Sequence, residues 1–496
     1  MSEWFILSVD QSTSATKAVL FNSEARLIAK ANKEHKQYFP QAGWVEHDPE
    51  EIFINTVEVI NEIVSKSKVP VDNIKCLSIT NQRETVVVWE KTTGKPICNA
   101  AVWQCLRGTE KCNELKSKGY DDLINKKTGL IIDPYFSASK LNWILNNDIS
   151  LQKKAMKGQL LVGTIDSWLI WKLTNGKVHA TDFSNACRTL LLNINNLQWD
   201  EELCRLFKVP IFILPDLKHS DDIFGYTNVK GIFKNEIPIC GVMGDSHAAL
   251  FGQRCYSPGM AKVTYGTGSS VMMNIGDSPI QSPKGLVTSV GYSIKSKTNF
   301  VFEGNIHTTG YTIKWLANAL KLISDSSESE SIAKSVDSTE GVYFVPAFSG
   351  LGAPYWNNNV RAAIIGIEHS TNKAHIVRAA LESIAYQVKD ILDLMTIKAR
   401  IPLNELRVDG GPTNNNFLMQ FQSDILNTNI SVSDISEASA LGAALAGGLA
   451  IGLWKNLSDI EKLYKSRNKL SPSMSDDKRL SLYSGWKNAV NLLCKS

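Results

Sequence analysis

Residues Trp4–Phe21 read WFILSVDQSTSATKAVLF, and residues Ala261–Asn274 read AKVTYGTGSSVMMN. Each segment consists of an apolar run, a short turn of hydroxyl residues or glycines, and a second apolar run. This pattern predicts two strand–turn–strand units, because buried strands are apolar and tight turns favour small polar residues. The units lie about half the chain apart. The repeat indicates a pair of related domains, each presenting a hydroxyl- and glycine-rich turn.

Strands and helices are predicted to alternate through the rest of the chain. Apolar runs at Ile74–Thr80 and Ile237–Met243 predict strands, and apolar residues at helical spacing over Ile376–Met395 predict a helix. The alternation favours an α/β fold whose sheets are covered on both faces. We expect a domain boundary near residue 255, where Cys255–Gly259 breaks the pattern, and a solvated surface stretch at Ser324–Ser338.

Composition excludes several classes of protein. The 496 residues include 53 Lys and Arg against 49 Asp and Glu, so we expect no nucleic-acid partner. Nine cysteines are scattered singly, as is typical of reduced thiols in a cytoplasmic protein. The first ten residues lack the basic stretch of a signal peptide. The longest apolar run, Ala440–Trp454, is too short to cross a bilayer and predicts a buried helix rather than membrane insertion.

Three turns have the composition of phosphate-binding loops. Asp10 precedes a run of Ser and Thr, and its carboxylate could hold Mg²⁺. Tyr265–Gly268 and Asp409–Asn415 contain glycines that allow a ligand close to the backbone. Each of the three could instead be an ordinary tight turn. No Walker A motif is present, which disfavours a P-loop enzyme.

Other residues could act as a base or bind a polyhydroxylated ligand. Asp245 ends a predicted strand and could accept a proton from an attacking hydroxyl, or could simply cap a helix. Arg83 and Glu84 could bind a polyol or form a surface ion pair. Trp103 and Tyr135 could support the C–H faces of a polyol or belong to a hydrophobic core.

These motifs resemble the FGGY carbohydrate kinases. The resemblance is carried by Asp10–Thr13, Thr80–Thr85, Tyr135–Trp143 and Tyr265–Gly268. Further segments resemble the glycerol-phosphorylating branch of that family: Gly43–Pro49, Phe344–Trp356, Arg407–Gly411 and Phe417–Asp424. The match runs in order from about residue 4 to residue 490.

The resemblance implies two actin-like, ribonuclease H-like domains, residues 1–254 and 255–496, flanking a catalytic cleft. The first would bind the polyol and carry the first phosphate loop, and the second would bind the nucleotide. It implies ATP-dependent phosphorylation of glycerol to sn-glycerol 3-phosphate, with Asp245 as base and Asp10 holding Mg²⁺. The implied acceptor-binding residues are Arg83, Glu84, Trp103, Tyr135, Asp245, Ser246 and Ser270. The implied nucleotide-binding residues are Thr13, Ser14, Ala15, Lys17, Thr267, Gly310, Lys314, Gly411 and Asn415. The resemblance also implies a homodimer.

Among the positions that depart from the family pattern, three bear most on the site. Ser246 stands where these kinases usually have Gln, Ser270 where they have Phe, and Lys17 where they have Arg. The first two line the acceptor pocket in the family, so a longer polyol or a ketose, of the erythritol, threitol or xylulose type, is the alternative acceptor. A non-catalytic ATP-binding switch or assembly protein is an alternative of a different class, because actin-like folds also serve that purpose.

Overall fold

The computed structural model describes residues 4–434 and 437–495. The first three residues of the segment predicted not to be a signal peptide lie outside the described residues. Among the described residues, none of the helices combines the length and apolar character needed to cross a bilayer.

The first half of the chain contains nine α-helices and fourteen strands within the described residues. The strands are β1 (Phe5–Gln11), β2 (Ala15–Asn22), β3 (Leu27–Glu34), β4 (Glu46–His47), β5 (Ile74–Asn81), β6 (Val86–Glu90), β7 (Ala100–Ala101), β8 (Leu160–Thr164), β9 (Ala180–Asp182), β10 (Leu192–Asn193), β11 (Gln198–Trp199), β12 (Asp216–Lys218), β13 (Ile223–Thr227) and β14 (Ile237–Gly244). The helices are α1 (Pro49–Lys66), α2 (Thr109–Ser117), α3 (Asp121–Thr128), α4 (Ser137–Asn146), α5 (Ile149–Met156), α6 (Ile165–Leu173), α7 (Phe183–Ala186), α8 (Glu201–Leu206) and α9 (Asp245–Gly252).

The second half follows after the connection Cys255–Gly259. Its strands are β15 (Met260–Tyr265), β16 (Ser269–Gly276), β17 (Val287–Ile294), β18 (Lys297–Ile306), β19 (Tyr343–Val345), β20 (Ala363–Ile365), β21 (Glu405–Gly410), β22 (Ile430–Ser433) and β23 (Ser466–Leu470). Its helices are α10 (Gly310–Asn318), α11 (Ser329–Lys334), α12 (Lys373–Ala399), α13 (Asn416–Leu426), α14 (Ala438–Ala450), α15 (Leu457–Glu461) and α16 (Asp476–Lys495).

The two large sheets repeat one topology. The first has the order β3-β2-β1-β5-β14-β13, and the second has β17-β18-β16-β15-β21-β22-β23. In each, a strand pairs antiparallel with its hairpin partner and parallel with the strand on its other side: β1 with β2 and β5, and β15 with β16 and β21. The expectation of two related α/β halves, drawn from two short turns, is thus confirmed by the sheets. A four-stranded sheet, β4-β7-β6-β8, is an addition to the first half.

Helix α14 belongs to the second half of the sequence but packs against the first sheet. It lies on α9, β14 and β5, and its residues share a buried apolar cluster with Ile6 and Phe21. The contact is close because glycines face backbone: a Cβ on Gly442 would lie 1.8 Å from the Ala248 carbonyl oxygen. The buried helix predicted at Ala440–Trp454 is therefore present, although it ends at Ala450 and leaves Ile451–Trp454 in a turn, and it joins the two halves.

The stretch Ser324–Ser338 is only partly the solvated segment expected from its composition. Most of it is exposed, but it contains a 3₁₀ turn at Ser326–Glu328 and then α11, and Ser329 and Ala333 are buried. Ser329 is held by the Asn415 side-chain amide, which donates to its hydroxyl at 3.2 Å. This contact ties the segment to the start of α13.

Candidate active site

Three candidate site residues of the first half lie at the carboxyl ends of neighbouring parallel strands. Asp10 lies at the end of β1, Arg83 follows β5, and Asp245 follows β14. The register places Asp10 opposite Thr80, and Gly244 opposite Asn81. Ligands of open α/β sheets bind at this edge, so residues far apart in sequence meet in one site.

Asp245 is the first residue of α9 and is not its N-cap. The cap position is Gly244, which makes no side-chain cap hydrogen bond. Oδ1 of Asp245 accepts from the Ser246 N–H at 2.6 Å and lies 3.2 Å from Arg83 Nε. The side chain is 36% exposed, so the carboxylate is open to a ligand.

Arg83 and Glu84 belong to a buried ion-pair network, not to the surface. Arg83 donates through Nη1 and Nη2 to the two carboxylate oxygens of Glu303, at 3.1 and 2.9 Å. Arg188 donates to Glu303 Oε2 at 2.8 Å and to Glu84 Oε1 at 2.6 Å. Burial raises the pKa of Glu303, but Arg188 and Arg83 outweigh it and hold that pKa well below its usual range. The network therefore keeps Glu303 ionised.

Glu84 is held in an unusual backbone conformation. Its φ is 62°, in the left-handed region that residues with a Cβ seldom adopt. Burial raises the pKa of Glu84, and the nearby arginines Arg188 and Arg83 oppose that shift. A conformation of this kind persists only where the surrounding structure holds it, here through the contact with Arg188.

The two aromatic candidates form one platform next to this network. The rings of Trp103 and Tyr135 meet edge to face at 5.5 Å between centroids. Trp103 Nε1 donates to Thr13 Oγ1 at 2.9 Å, and the Arg188 guanidinium lies 5.9 Å from the Tyr135 ring centroid. The platform thus connects the first phosphate turn to the ion-pair network.

Asp10 has the setting of a carboxylate that holds a cation. Burial is the main cause that raises its pKa to about 7; Lys17 opposes the shift, and the carboxylates of Asp245 and Glu437 add to it. A bound Mg²⁺ would relieve this repulsion. Mg²⁺ commonly takes only one or two carboxylates together with water and phosphate oxygens, so this donor set fits it.

The other residues of the first hairpin that were expected at the nucleotide, Ser14, Ala15 and Lys17, differ in exposure and in contacts. Ser14 is exposed at the turn and Ala15 is buried. Lys17, expected at the nucleotide, makes an ion pair with Glu437 at 2.9 Å. Oε1 of Glu437 also lies 3.4 Å from Lys30 Nζ, so this carboxylate links the second half of the sequence to the first sheet.

The second hairpin brings Ser270 next to a buried lysine. Lys262 Nζ donates to Thr264 Oγ1 at 3.1 Å and to Ser270 Oγ at 3.4 Å. Burial lowers the pKa of Lys262, while the charges of Asp409, Glu303 and Asp245 oppose that shift. The position where the family has an aromatic ring therefore holds a hydrogen-bonded hydroxyl beside a cation.

A cavity of about 630 Å³ opens at the same strand ends of the second sheet. Five of the residues predicted to bind nucleotide line it: Thr267, Gly310, Lys314, Gly411 and Asn415. Gly410 has a φ of 97°, and a Cβ there would lie 1.9 Å from the Tyr265 carbonyl oxygen. At Gly411 a Cβ would meet no described atom within 4 Å, so this glycine faces open space. The turn is therefore shaped to bring a ligand against its backbone.

Several residues of the site were missed by the sequence analysis. Ser326, Ser327, Ser329 and Glu330 line the cavity although they come from the segment expected to be plain surface. Glu303 and Lys262 are charged residues inside apolar strands, a pattern that could have revealed them. Arg188 lies in a short loop that carries no such signal.

Comparison with known proteins places these features in a family. The sequence model of the N-terminal domain of the FGGY family of carbohydrate kinases matches residues 5–252, and that of the C-terminal domain matches residues 261–451. The chain belongs to this family. The chain is 53% identical to glycerol kinase 1 of Thermotoga maritima over 490 residues, covering 99% of both chains. It is 49% identical to the glycerol kinase of Bacillus subtilis over 488 residues, covering 98% of both.

Solved FGGY kinase structures have the same fold. Plasmodium falciparum glycerol kinase with ADP superposes with a TM-score of 0.94 at 41% identity, covering 99% of this chain and 98% of that one. A ligand-bound xylulose kinase from Lactobacillus acidophilus superposes with a TM-score of 0.88 at 21% identity, covering 98% of each. The second comparison concerns the fold alone.

Proposed function

We propose that the chain transfers the γ-phosphoryl group of ATP to glycerol, giving sn-glycerol 3-phosphate and ADP. The observation that carries this proposal is the setting of Asp245, a half-exposed carboxylate held by Arg83 at the end of β14. Similarity over nearly the whole chain to bacterial glycerol kinases supports glycerol as the acceptor.

In the proposed reaction, Asp245 takes the proton of the acceptor hydroxyl while its oxygen bonds to the γ-phosphorus. The bond from that phosphorus to the bridging oxygen breaks, and ADP keeps the electron pair. Asp245 Oδ1 is engaged by the Ser246 N–H and by Arg83, so Oδ2 is the oxygen left for the proton. A carboxylate suffices as base because phosphoryl transfer depends mainly on in-line positioning and charge neutralisation.

The acceptor would be bound by residues around Asp245. Arg83 and Glu84 provide donors and acceptors for its hydroxyls, and the Trp103–Tyr135 platform supports its carbon chain. Ser246 and Ser270 would complete the pocket. The roles proposed for Arg83 and Glu84 are supported by their ion pairs with Glu303 and Arg188, which hold both side chains in place.

The nucleotide would occupy the cavity of the second half, with its phosphates directed to the first hairpin. Thr267, Gly310, Lys314, Gly411 and Asn415 surround that cavity. Thr13, Ser14, Ala15 and Lys17 would meet the phosphates, with Lys17 leaving Glu437 to do so. Asp10 would hold Mg²⁺, which neutralises phosphate charge when bound.

A longer polyol or a ketose is the second candidate acceptor. The observation that favours it is the Ser270 hydroxyl within 3.4 Å of Lys262 Nζ, where an aromatic wall would exclude polar groups. Extra hydroxyls of a four- or five-carbon acceptor would find partners there.

Turnover of ATP with a panel of acceptors tests the proposal. Glycerol, erythritol, threitol, xylulose and no acceptor are compared, and the product is identified by mass and stereochemistry. Release of ADP only with glycerol supports the first acceptor, and faster release with a longer compound supports the second. ATP hydrolysis that is indifferent to every polyol would favour the switch or assembly function.

We infer three further properties. Residues 1–254 and 255–496 form the two domains, with α14 as an exchange between them, and the repeated sheet order supports that division. The chain forms a homodimer, on family resemblance, which sedimentation tests. It works in the cytoplasm, and its nine free cysteines support a reducing compartment.

A further inference from the structure

Glu303 is a buried charge in an apolar strand. It lies in β18 opposite Met272 of β16 and Val287 of β17, and it follows Phe302. Its side chain is 0% exposed. A buried carboxylate is costly unless cations pair with it, so its presence in the second sheet needs a reason.

The partners of Glu303 come from the first half of the chain. Arg83 follows β5, and Arg188 follows α7. Arg83 gives two terminal guanidinium nitrogens to Glu303, and Arg188 gives one. The Nε of each contacts another carboxylate, that of Asp245 for Arg83 and that of Glu84 for Arg188. One carboxylate of the second half thus fixes both arginines that face the acceptor residues.

The contact with Glu303 determines how the Arg83 guanidinium is oriented toward Asp245. Glu303 accepts from Nη1 and Nη2 and so holds the guanidinium at that end, and the Nε of the same group contacts Oδ1 of Asp245. Within residues 4–434 and 437–495, no hydrogen bond to Oδ2 of Asp245 is found. An arginine that Glu303 did not hold could turn its Nε–Nη2 edge onto Asp245 and form the bidentate pair that carboxylates favour, and both oxygens would then be occupied.

We propose that Glu303 is a positioning residue for phosphoryl transfer: it holds Arg83 so that Asp245 keeps one oxygen for the proton, and holds Arg188 so that Glu84 faces the acceptor. The acceptor site is then complete only when the second half of the chain is docked on the first. This inference rests on the proposed function, since it assigns Asp245 the role of base.

The test compares Glu303→Gln and Glu303→Asp with wild type. Glu303→Gln removes the charge at nearly constant shape, and we expect kcat to fall at least tenfold while KM for ATP stays within about twofold. Glu303→Asp restores the charge but withdraws it by one methylene. We expect it to recover thermal stability more completely than kcat, a separation that a purely structural role would not produce.

Glu382→Gln is the matched control. Glu382 is also buried in the second half and pairs with an arginine, Arg378, at 2.9 Å, but it contacts none of the acceptor residues. We expect it to lose stability without a matching loss of kcat. If Glu303→Gln keeps kcat within twofold of wild type, or if Glu382→Gln loses kcat equally, the inference is wrong.

A crystal structure of the Glu303 variants separates this inference from the proposed function. In Glu303→Gln, or in Glu303→Asp if the former does not fold, Arg83 should contact both oxygens of Asp245. An unchanged single contact through Nε would overturn the positioning role whatever the acceptor is. Lack of glycerol turnover by wild type would instead refute the proposed function and leave this geometric result standing.

Discussion

The two oxygens of the Asp245 carboxylate have unequal surroundings, with the Ser246 amide and Arg83 Nε both on Oδ1. Replacing Asp245 by Asn removes the proton acceptor and keeps the shape. We expect Asp245→Asn to bind ADP like wild type and to lose phosphoryl transfer by about 10²- to 10⁴-fold. Calorimetric ADP binding and coupled-assay turnover measure the two effects. Turnover within a few-fold of wild type would mean that Asp245 is not the base.

The proposed acceptor pocket includes Ser246 and Ser270, and we expect these two residues to set the acceptor preference. Loss of one hydrogen bond and of apolar contact would weaken glycerol binding by roughly 1–3 kcal/mol relative to a pocket with Gln and Phe. We expect Ser246→Gln combined with Ser270→Phe to raise the preference for glycerol over four- and five-carbon polyols. The measurement is kcat/KM for each acceptor. An unchanged ratio would show that these serines do not set specificity.

His47 supports the turn between β1 and β2 through the side chain of Gln82. Its Nδ1 lies 3.2 Å from Gln82 Nε2, which also donates to Gln11 Oε1 at 3.0 Å and lies 3.3 Å from the Ser12 carbonyl oxygen. Burial, reinforced by the neighbouring His35, lowers the pKa of His47 to about 3. The ring therefore stays neutral in the folded protein.

The titration of His47 predicts an acid-sensitive stability. Below its unfolded pKa of about 6.5 the unfolded chain binds a proton that the folded chain does not, so stability falls as pH decreases from 6.5 toward 3. We expect His47→Gln to reduce the loss in unfolding free energy between pH 7 and pH 5 by about 2 kcal/mol. Urea unfolding at both pH values measures it. The exposed His369→Gln is the control, and an equal pH dependence in wild type and His47→Gln would contradict the assignment.

The contacts of a single residue can be predicted from sequence only when its partners lie close to it in the chain or follow recognisable elements. Asp245 and Arg83 follow recognisable strands, and the structure brings them together at one sheet edge. The ion pair between Arg83 and Glu303 joins residues 220 positions apart, and no local pattern specifies such a pairing. The setting of Lys17 against Glu437 was unpredictable for the same reason.

At the scale of elements, the contact between α9 and α14 positions the proposed base. Each helix presents a glycine to the backbone of the other: Gly442 to the Ala248 carbonyl and Gly252 to the Ala438 carbonyl. Because α9 begins at Asp245, the distance between these helices sets where the carboxylate lies. Small residues here are needed for close approach rather than for flexibility.

Gly442→Ala tests this packing. A Cβ would lie 1.8 Å from backbone oxygen, so the helices must separate, and overpacking of this kind costs about 1–3 kcal/mol. We expect a lower Tm together with reduced kcat, although alanine favours helix formation. Ala450→Ser, at the half-buried end of α14, is the control. A Tm equal to or above that of wild type would contradict the close packing.

Helices and strands with a strong local sequence pattern could be predicted, but the elements they pack against could not. The hairpins β1–β2 and β15–β16, helix α12 and buried α14 follow from apolar periodicity and turn composition. Which sheet α14 covers is a question of long-range packing, and β5 and β6, adjacent in sequence, belong to different sheets. Composition alone also could not show that Ser326–Glu330 borders a cavity, because exposed polar residues look alike whether they face solvent or a ligand.

For the whole molecule, the repeated topology places one site component on each sheet. Arg83, Glu84 and Asp245, which we propose bind the acceptor, follow strands of the first sheet, and the cavity proposed for the nucleotide lies at strand ends of the second. The halves are joined at the floor of the site by Glu303 with Arg83 and Arg188. Separating one partner from such a buried network costs about 3–5 kcal/mol, so we expect the floor to stay fixed while the outer parts of the halves rotate.

This arrangement predicts closure when both ligands are present. Transfer needs the acceptor oxygen in line with the γ-phosphorus and water excluded, and a nucleotide held by one half with a polyol held by the other would draw the halves together. We expect the radius of gyration from X-ray scattering to decrease with glycerol and a non-hydrolysable ATP analogue together, and to change less with either alone. Asp245→Asn should close like wild type, because it removes a proton acceptor and not a binding surface. Identical scattering in all four ligand states would contradict the rotation, since the two site components would then already be in their reactive positions before any ligand binds.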